Sequence, residues 1–190
     1  MLIALSGPSG IGKGFIKETA LKRYPMLTEL QWLTTRPLRD GEGRRGNRVS
    51  ISPTRFDSLV SRELCALVQE LHGNRYALLR SHLLDASRPR LTEIHPGNAQ
   101  EAVQLRPDVF LIGLTTDDLS LLGERLSKRG EAGANERLLA AQAEMALLAK
   151  VRHFYHAVFS VSRETVDVVR EEVLRTIGKL LDSVNTQGEE

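Results

Sequence analysis

Short apolar runs, broken by glycines or polar pairs, alternate along this chain with stretches of helical spacing. Residues 2–5 are an unbroken apolar run closed by glycine, the pattern of a strand buried on both faces in a parallel sheet. Residues 13–23 follow with Phe15, Ile16, Ala20 and Leu21 at helical spacing, and Pro25 ends the helix. Ser52 before Pro53 reads as an N-cap with proline in the first turn, opening a short helix that carries Phe56, Leu59 and Val60. Residues 64–71 and 76–79 predict strands around the turn Gly73-Asn74, and residues 90–94 and 109–114 predict two more. Thr116, Asp117 and Asp118 cap a helix running to about Lys128, where acidic groups suit the positive end of the helix dipole. The glycine-bearing stretch 130–134 reads as a mobile loop before a long helix over 135–153. A last strand is expected at 157–161, then a terminal amphipathic helix over 163–184 with Val166, Val169, Val173 and Ile177 on one side. Strands alternating with helices predict an α/β fold with a mostly parallel sheet flanked by helices.

Composition adds limits rather than identity. At 190 residues the chain can bury one good core, so a single domain over 1–190 is expected. A formal charge of +2 favours anionic ligands only mildly, and aromatics at 5% leave no stacking platform, so nucleic acid is not an expected partner. Cys65 is the one cysteine; no intramolecular disulfide can form, its apolar neighbours make it a small buried hydrophobe, and a reducing cytoplasm is the expected compartment. No window approaches the ~18 apolar residues of a membrane span, and the N-terminal run is too short for a signal peptide; no membrane association is expected. Five histidines without paired spacing argue against a zinc site.

The chemistry concentrates in GPSGIGKG, residues 7–14, which fits a phosphate-cradling loop at every position but the last. Such a loop lets consecutive backbone N–H groups point at a phosphate while the following helix adds its dipole. Gly7, Gly10 and Gly12 permit close backbone approach and Lys13 neutralises phosphate charge, so Pro8, Ser9, Gly10, Ile11, Gly12, Lys13 and Gly14 form the candidate ATP-binding segment. Gly14 stands where a Ser or Thr hydroxyl ordinarily meets Mg²⁺. G-K-G resembles the loop ending of adenylate kinases, although Phe15 occupies the position where those have Thr. Mg²⁺ keeps several waters and takes other ligands from substrate phosphates, so it can do without that hydroxyl. A second segment, TTRPLRDGEGRRGNRVSIS at 34–52, sets Arg36 and Arg39 three apart around a proline; they either clamp an anion bidentately or belong to a solvated basic loop.

Taken together, S-G-P-S-G-x-G-K at 6–13, T-T-R-x-x-R-x-G-E at 34–42 and H-G-N-x-Y at 72–76 resemble guanylate kinases, and the likeness continues to about Ile177. The segment TEIHPGNAQEAV sits where that family has D-I-D-x-Q-G-A, and NERLLAAQAEM resembles its arginine-bearing helix after the lid. The resemblance implies a P-loop nucleotide kinase in three parts: a core over 1–31, 84–128 and 154–184, an acceptor-binding segment over about 32–83, and a lid over about 129–137. It implies an ATP- and Mg²⁺-dependent phosphotransferase with GMP as the default acceptor, working as a monomer or weak homodimer. By position Arg36, Arg39 and Tyr76 hold the acceptor phosphate, Arg48 is counted among the acceptor-binding residues, and Arg129 and Arg137 close over the donor chain beside Lys13. Glu93 either orients Mg²⁺ waters or an acceptor group, or is a solvated strand end; no direct metal ligand is assigned, and His95 is taken as a surface or internally satisfied side chain.

Several positions depart from the family pattern. Leu67 stands for the glutamate that meets guanine, with Glu70 the nearest carboxylate if the register slips by one. Leu78 replaces a small hydroxyl residue, Arg48 a tyrosine, and Trp32 or Leu33 a serine, while Arg44 and Arg45 add positive charge. These exchanges suggest an acceptor more anionic than GMP or lacking guanine, such as a sugar phosphate of the ribose bisphosphate kind. The alternative is a catalytically inactive guanylate-kinase-like binding module, against which the intact glycines and Lys13 count.

Overall fold

A computed structural model describes residues 1–38, 47–127 and 134–186. Its central sheet has five strands in the order β2-β7-β1-β8-β9, all parallel: β1 (Leu2–Ser6), β2 (Thr28–Glu29), β7 (Arg90–Ile94), β8 (Val109–Thr115) and β9 (Ala157–Ser160). β1 is buried at every residue, as its unbroken apolar run predicts. Its alternation decides which residue meets which layer. Ile3 and Leu5 face one layer with Ile16 and Ala20 of α1 (Lys13–Arg23), Leu121 and Leu122 of α5 (Leu119–Ser127), and Val173 and Ile177 of α7 (Val166–Thr186). Leu2 and Ala4 face the other, with Ala99 and Ala102 of α4 (Ala99–Leu105) and Leu148 of α6 (Ala134–Lys150). Apolar burial on both faces is what a parallel sheet with helical crossovers requires.

A second sheet of four strands, β4-β3-β6-β5, was not foreseen as a separate layer. It comprises β3 (Trp32–Thr34), β4 (Arg48–Ser50), β5 (Cys65–Leu71) and β6 (Asn74–Leu79); β3 and β4 run parallel, while β6 is antiparallel to both β3 and β5. The "mostly parallel" expectation therefore holds for the central sheet and not for this one. Leu33, Cys65 and Ala77 pack outward against Phe56 and Leu59 of α2 (Pro53–Ser61), and Trp32, Leu67 and Leu78 pack inward with Leu2 and Ala4 of the central sheet. A shared core thus joins the two sheets and leaves a cleft at their common edge.

Several boundaries shift. Ser52 does cap α2, its hydroxyl accepting from the Arg55 amide, and Thr116 and Asp118 accept from the Asp118 and Leu121 amides before α5. The turn between β5 and β6 is His72-Gly73, so Asn74 already belongs to the strand. α6 stops at Lys150 and a 3₁₀ turn, Arg152–Phe154, completes the connection. α7 starts at Val166, three residues late, because the Ser162 and Thr165 side chains bond to each other's amides and form the turn before it. α3 (Arg80–Leu84) and α4 carry too few apolar positions to show a period. Phe15, one of the apolar residues at helical spacing in α1, is 53% exposed under the Arg170 guanidinium, 4.3 Å from the ring centre. Of the expected loop over 130–134, Ala134 already opens α6; its other residues, together with Arg39, Arg44, Arg45 and Arg129, lie outside the described residues.

Candidate active site

The turn between β1 and α1 folds as the glycine spacing asks. Gly7, Gly10 and Gly12 hold φ of 137°, 85° and 115°, conformations that L side chains rarely adopt. At Gly7 a Cβ would stand 2.2 Å from the Leu114 carbonyl oxygen, so β1 and β8 can approach only through a glycine there. Gly12 is the N-cap of α1; no side chain caps that end and its first turn holds no acid. The N–H groups a helix leaves unpaired at its start are therefore offered to an external anion, with the dipole behind them. Lys13 Nζ lies back over the loop, donating to the Gly7 and Pro8 carbonyls at 2.6 and 3.0 Å.

The loop opens on a cleft of about 290 Å³ whose lining includes Gly7, Ser9, Gly10, Gly12, Lys13 and Gly14. From the second sheet come Arg48, Gln69 and Tyr76, from the bend after β3 Arg36, from β7 Glu93, and from α6 Arg137 and Glu144. Ten of the sequence-derived candidates thus share one cleft: Ser9, Gly10, Gly12, Lys13 and Gly14 of the loop, with Arg36, Arg48, Tyr76, Glu93 and Arg137. Arg48 lies over the Tyr76 ring at 5.7 Å. Pro8 contributes its carbonyl rather than cleft surface, and the Ile11 side chain is turned into the core, 2% exposed.

Glu93 is not the solvated strand end that spacing allowed. Its Oε1 is 2.7 Å from the Lys17 ammonium, whose other partner is Glu29 Oε1 at 2.5 Å. Lys17 is 6% exposed. Burial opposes its charge, but Glu93 and Glu29 outweigh it and hold the ammonium above its ordinary value. Burial likewise opposes the Glu93 carboxylate; Lys17, Lys13 and Arg48 reverse the balance and lower it. Sequence reasoning missed Lys17, which reads as an ordinary exposed helix position. A Cβ at Gly14 would meet only Glu93 Oε1, at 3.9 Å, so the loop has room for the hydroxyl it lacks. Among the described residues no group of three His, Cys, Asp or Glu side chains could hold a metal ion. Glu93, beside Gly14, is a carboxylate that could orient the waters of a phosphate-bound Mg²⁺.

Glu144 was also missed. Its Oε2 accepts the Ser9 amide at 2.7 Å, and its Oε1 is 4.0 Å from His95 Nε2. His95 caps the 3₁₀ turn Pro96–Asn98, its Nδ1 accepting the Gly97 amide at 3.1 Å. Burial, against the pull of Glu144, lowers its proton affinity. The histidine is internally satisfied, as read from the sequence. Leu67 and Leu78, aligned with base-reading positions, are fully buried, and the residues β5 sets into the lining are Gln69 and Leu71. The cause is a bulge in β5: its register against β6 shifts between Ala66 and Gln69, with Leu67 at φ 52°. Glu70, the alternative carboxylate, is exposed and pairs in register with Arg75 on the far side of the hairpin.

No protein-family model matches the chain. Among proteins of known name, the guanylate kinase of Thermobifida fusca is 33% identical over 151 residues, covering 76% of this chain and 77% of the relative. That of Nitrosomonas europaea is 27% identical over 188 residues, covering 95% and 94%. Among solved structures, the guanylate kinase from Anaplasma phagocytophilum superposes with a TM-score of 0.69 at 21% identity over 96% of this chain and 85% of that one, a likeness of fold. With the phosphate loop, the arginine-bearing second sheet and identity of 33% over three quarters of its length, the chain belongs to the guanylate kinase family.

Proposed function

We propose that the protein transfers the γ-phosphate of ATP to the phosphate of a small phosphorylated acceptor. One observation carries this reading: the uncapped start of α1 and a cationic wall made by Arg36 in the bend after β3, Arg48 of β4 and Tyr76 of β6 open on the same cleft. An acceptor-phosphate oxygen bonds to the γ-phosphorus, the bridging bond to the β-phosphate breaks, and ADP leaves. The protein has little covalent work in such a transfer. It positions two anions in line and stabilises charge on the moving group. Lys13 and the N–H groups of α1 hold the donor chain, Arg137 closes over it, and Arg36, Arg48 and Tyr76 hold the acceptor phosphate. Arg39 and Arg129 are assigned to the same two tasks by position in the sequence.

Bound Mg²⁺ would neutralise charge between the β- and γ-phosphates. This chain offers it Glu93 through water rather than a hydroxyl at position 14. In the proposed division, residues 1–31, 84–128 and 154–184 form the core, about 32–83 the acceptor part and about 129–137 the lid. GMP is the family's default acceptor. The burial of Leu67 and Leu78 and the added charge of Arg48 favour an acceptor that is more anionic or lacks guanine, a sugar phosphate of the ribose bisphosphate kind included.

The test is Mg-ATP binding together with ADP release across an acceptor panel, in the wild type and Lys13→Ala. Loss of at least about a hundredfold in kcat/KM is expected for Lys13→Ala. An inactive binding module would instead show no Mg-ATP affinity for the substitution to remove.

A further inference from the structure

The cleft-facing side of the second sheet is set by strand alternation. Trp32 and Arg48 are paired across β3 and β4, and Tyr76 of β6 is paired with Gln69 of β5, so all four lie along one lining. Gln69 cannot turn freely. Asn98, 7% exposed, donates from Nδ2 to the Leu67 carbonyl at 3.0 Å and to Gln69 Oε1 at 3.2 Å. A backbone carbonyl only accepts, which fixes the Asn98 amide with its NH₂ group toward it. The second hydrogen on that NH₂ needs an oxygen, so Gln69 is held with Oε1 toward Asn98 and Nε2 turned away from it. The β5 bulge that buries Leu67 is what brings Gln69 to this place.

We infer that Gln69 is a specificity-determining residue, donating from Nε2 to an oxygen on the far end of the acceptor, with Asn98 as its positioning residue. This rests on reading the cleft as an acceptor site. The edge of guanine sets a ring N–H and an amino group, both donors, beside one carbonyl oxygen; an amide NH₂ can meet only that oxygen and leaves both donors without an acceptor. A group carrying acceptor oxygens, whether a second phosphate or a pyrimidine carbonyl, pairs with it directly. Donors left unpaired in a closed site are a strong source of discrimination.

Trp32 is the only tryptophan and lines the cleft, so its fluorescence reports acceptor binding without requiring turnover. GMP, UMP and ribose 1,5-bisphosphate are titrated against the wild type, Gln69→Glu and Asn98→Ala. The wild type is expected to bind UMP or the bisphosphate at least about tenfold more tightly than GMP. Preference for the bisphosphate assigns the oxygens to a phosphate, preference for UMP to a ring carbonyl. Gln69→Glu keeps the size of the side chain and should tighten GMP by at least about tenfold while weakening the other ligand. Asn98→Ala should bring the affinities toward parity. GMP binding tightest to the wild type, GMP affinity unchanged in Gln69→Glu, or no binding of any ligand overturns the inference. Discrimination of the expected kind with no ADP release removes the kinase reading alone; turnover of GMP indifferent to Gln69→Glu removes this inference alone.

Discussion

At the scale of single residues, Lys17 separates a buried charge from an ordinary one. Its ammonium is shared by Glu29 and Glu93, so replacing it with methionine leaves two carboxylates facing each other with little solvent. Breaking a buried pair from one side costs about 3–5 kcal/mol, and Lys17→Met should lose that much stability in urea unfolding at neutral pH. The pH dependence follows from the shifts. Glu93 is lowered in the fold, so its contribution is present above the ordinary carboxylate value near 4.5 and is lost as pH falls through the lower folded value. Lys17 is raised, so its contribution is full below its ordinary value near 10.5 and is lost as pH rises through the higher folded one. The wild type should therefore hold a stability advantage over Lys17→Met across the neutral range that narrows at both extremes. An equal urea midpoint for the two proteins at pH 7 would mean that the triad is solvated. None of this was legible in the sequence, because Lys17 lies four residues after Lys13 on a helix whose other lysine, Lys22, is exposed. Only the fold shows that the two glutamates converge on it.

Among the elements, α6 ties the loop between β1 and α1 to the part of the cleft that Arg137 lines. Arg137 and Glu144 are seven residues apart, two helical turns, and so lie on one face; both line the cleft. Glu144 holds the Ser9 amide, so the loop and the helix that carries Arg137 are tied by one short bond. Glu144→Ala should raise KM for ATP by about tenfold, the scale of a lost hydrogen bond to a charged group. Glu144→Gln, which still offers an oxygen, should recover most of it. If Glu144→Ala binds ATP more tightly than the wild type, the carboxylate competes with phosphate instead of positioning the loop. The helix itself and the glycine loop were legible, each from a local pattern: apolar spacing in one, G-x-x-x-x-G-K in the other. Their contact was not, since it joins residues 135 positions apart and leaves no period in the sequence. The β5 bulge was hidden for a related reason. Its residues Ala66, Leu67 and Val68 read as continuous strand, and only pairing with β6 shows the slip.

For the whole molecule, the sequence foretold the parallel sheet better than the place where ligands meet it. In the central sheet β1, β8 and β9 announce themselves as apolar runs while β7, with Arg90, Thr92 and Glu93 among its five residues, does not; β3 and β4, with three residues each, carry no period of their own. Yet these short strands supply Trp32 and Arg48, and the cleft exists because their sheet shares a core with β1 and β8. Ligands lying in it bind only the folded arrangement, so they should stabilise the protein by mass action. At a hundred times its dissociation constant one ligand contributes about 2.7 kcal/mol. For a chain of this size each kcal/mol moves the midpoint by about 2–4 °C, so a non-hydrolysable ATP analogue with Mg²⁺ should raise Tm by about 5–11 °C. An acceptor occupying the second-sheet side should raise it further. If donor and acceptor lie end to end, as in-line transfer requires, the two shifts should at least add. Shifts that exclude each other in thermal unfolding would place both ligands in one overlapping position, and the division of the cleft between Lys13 and Arg48 would fall with that result.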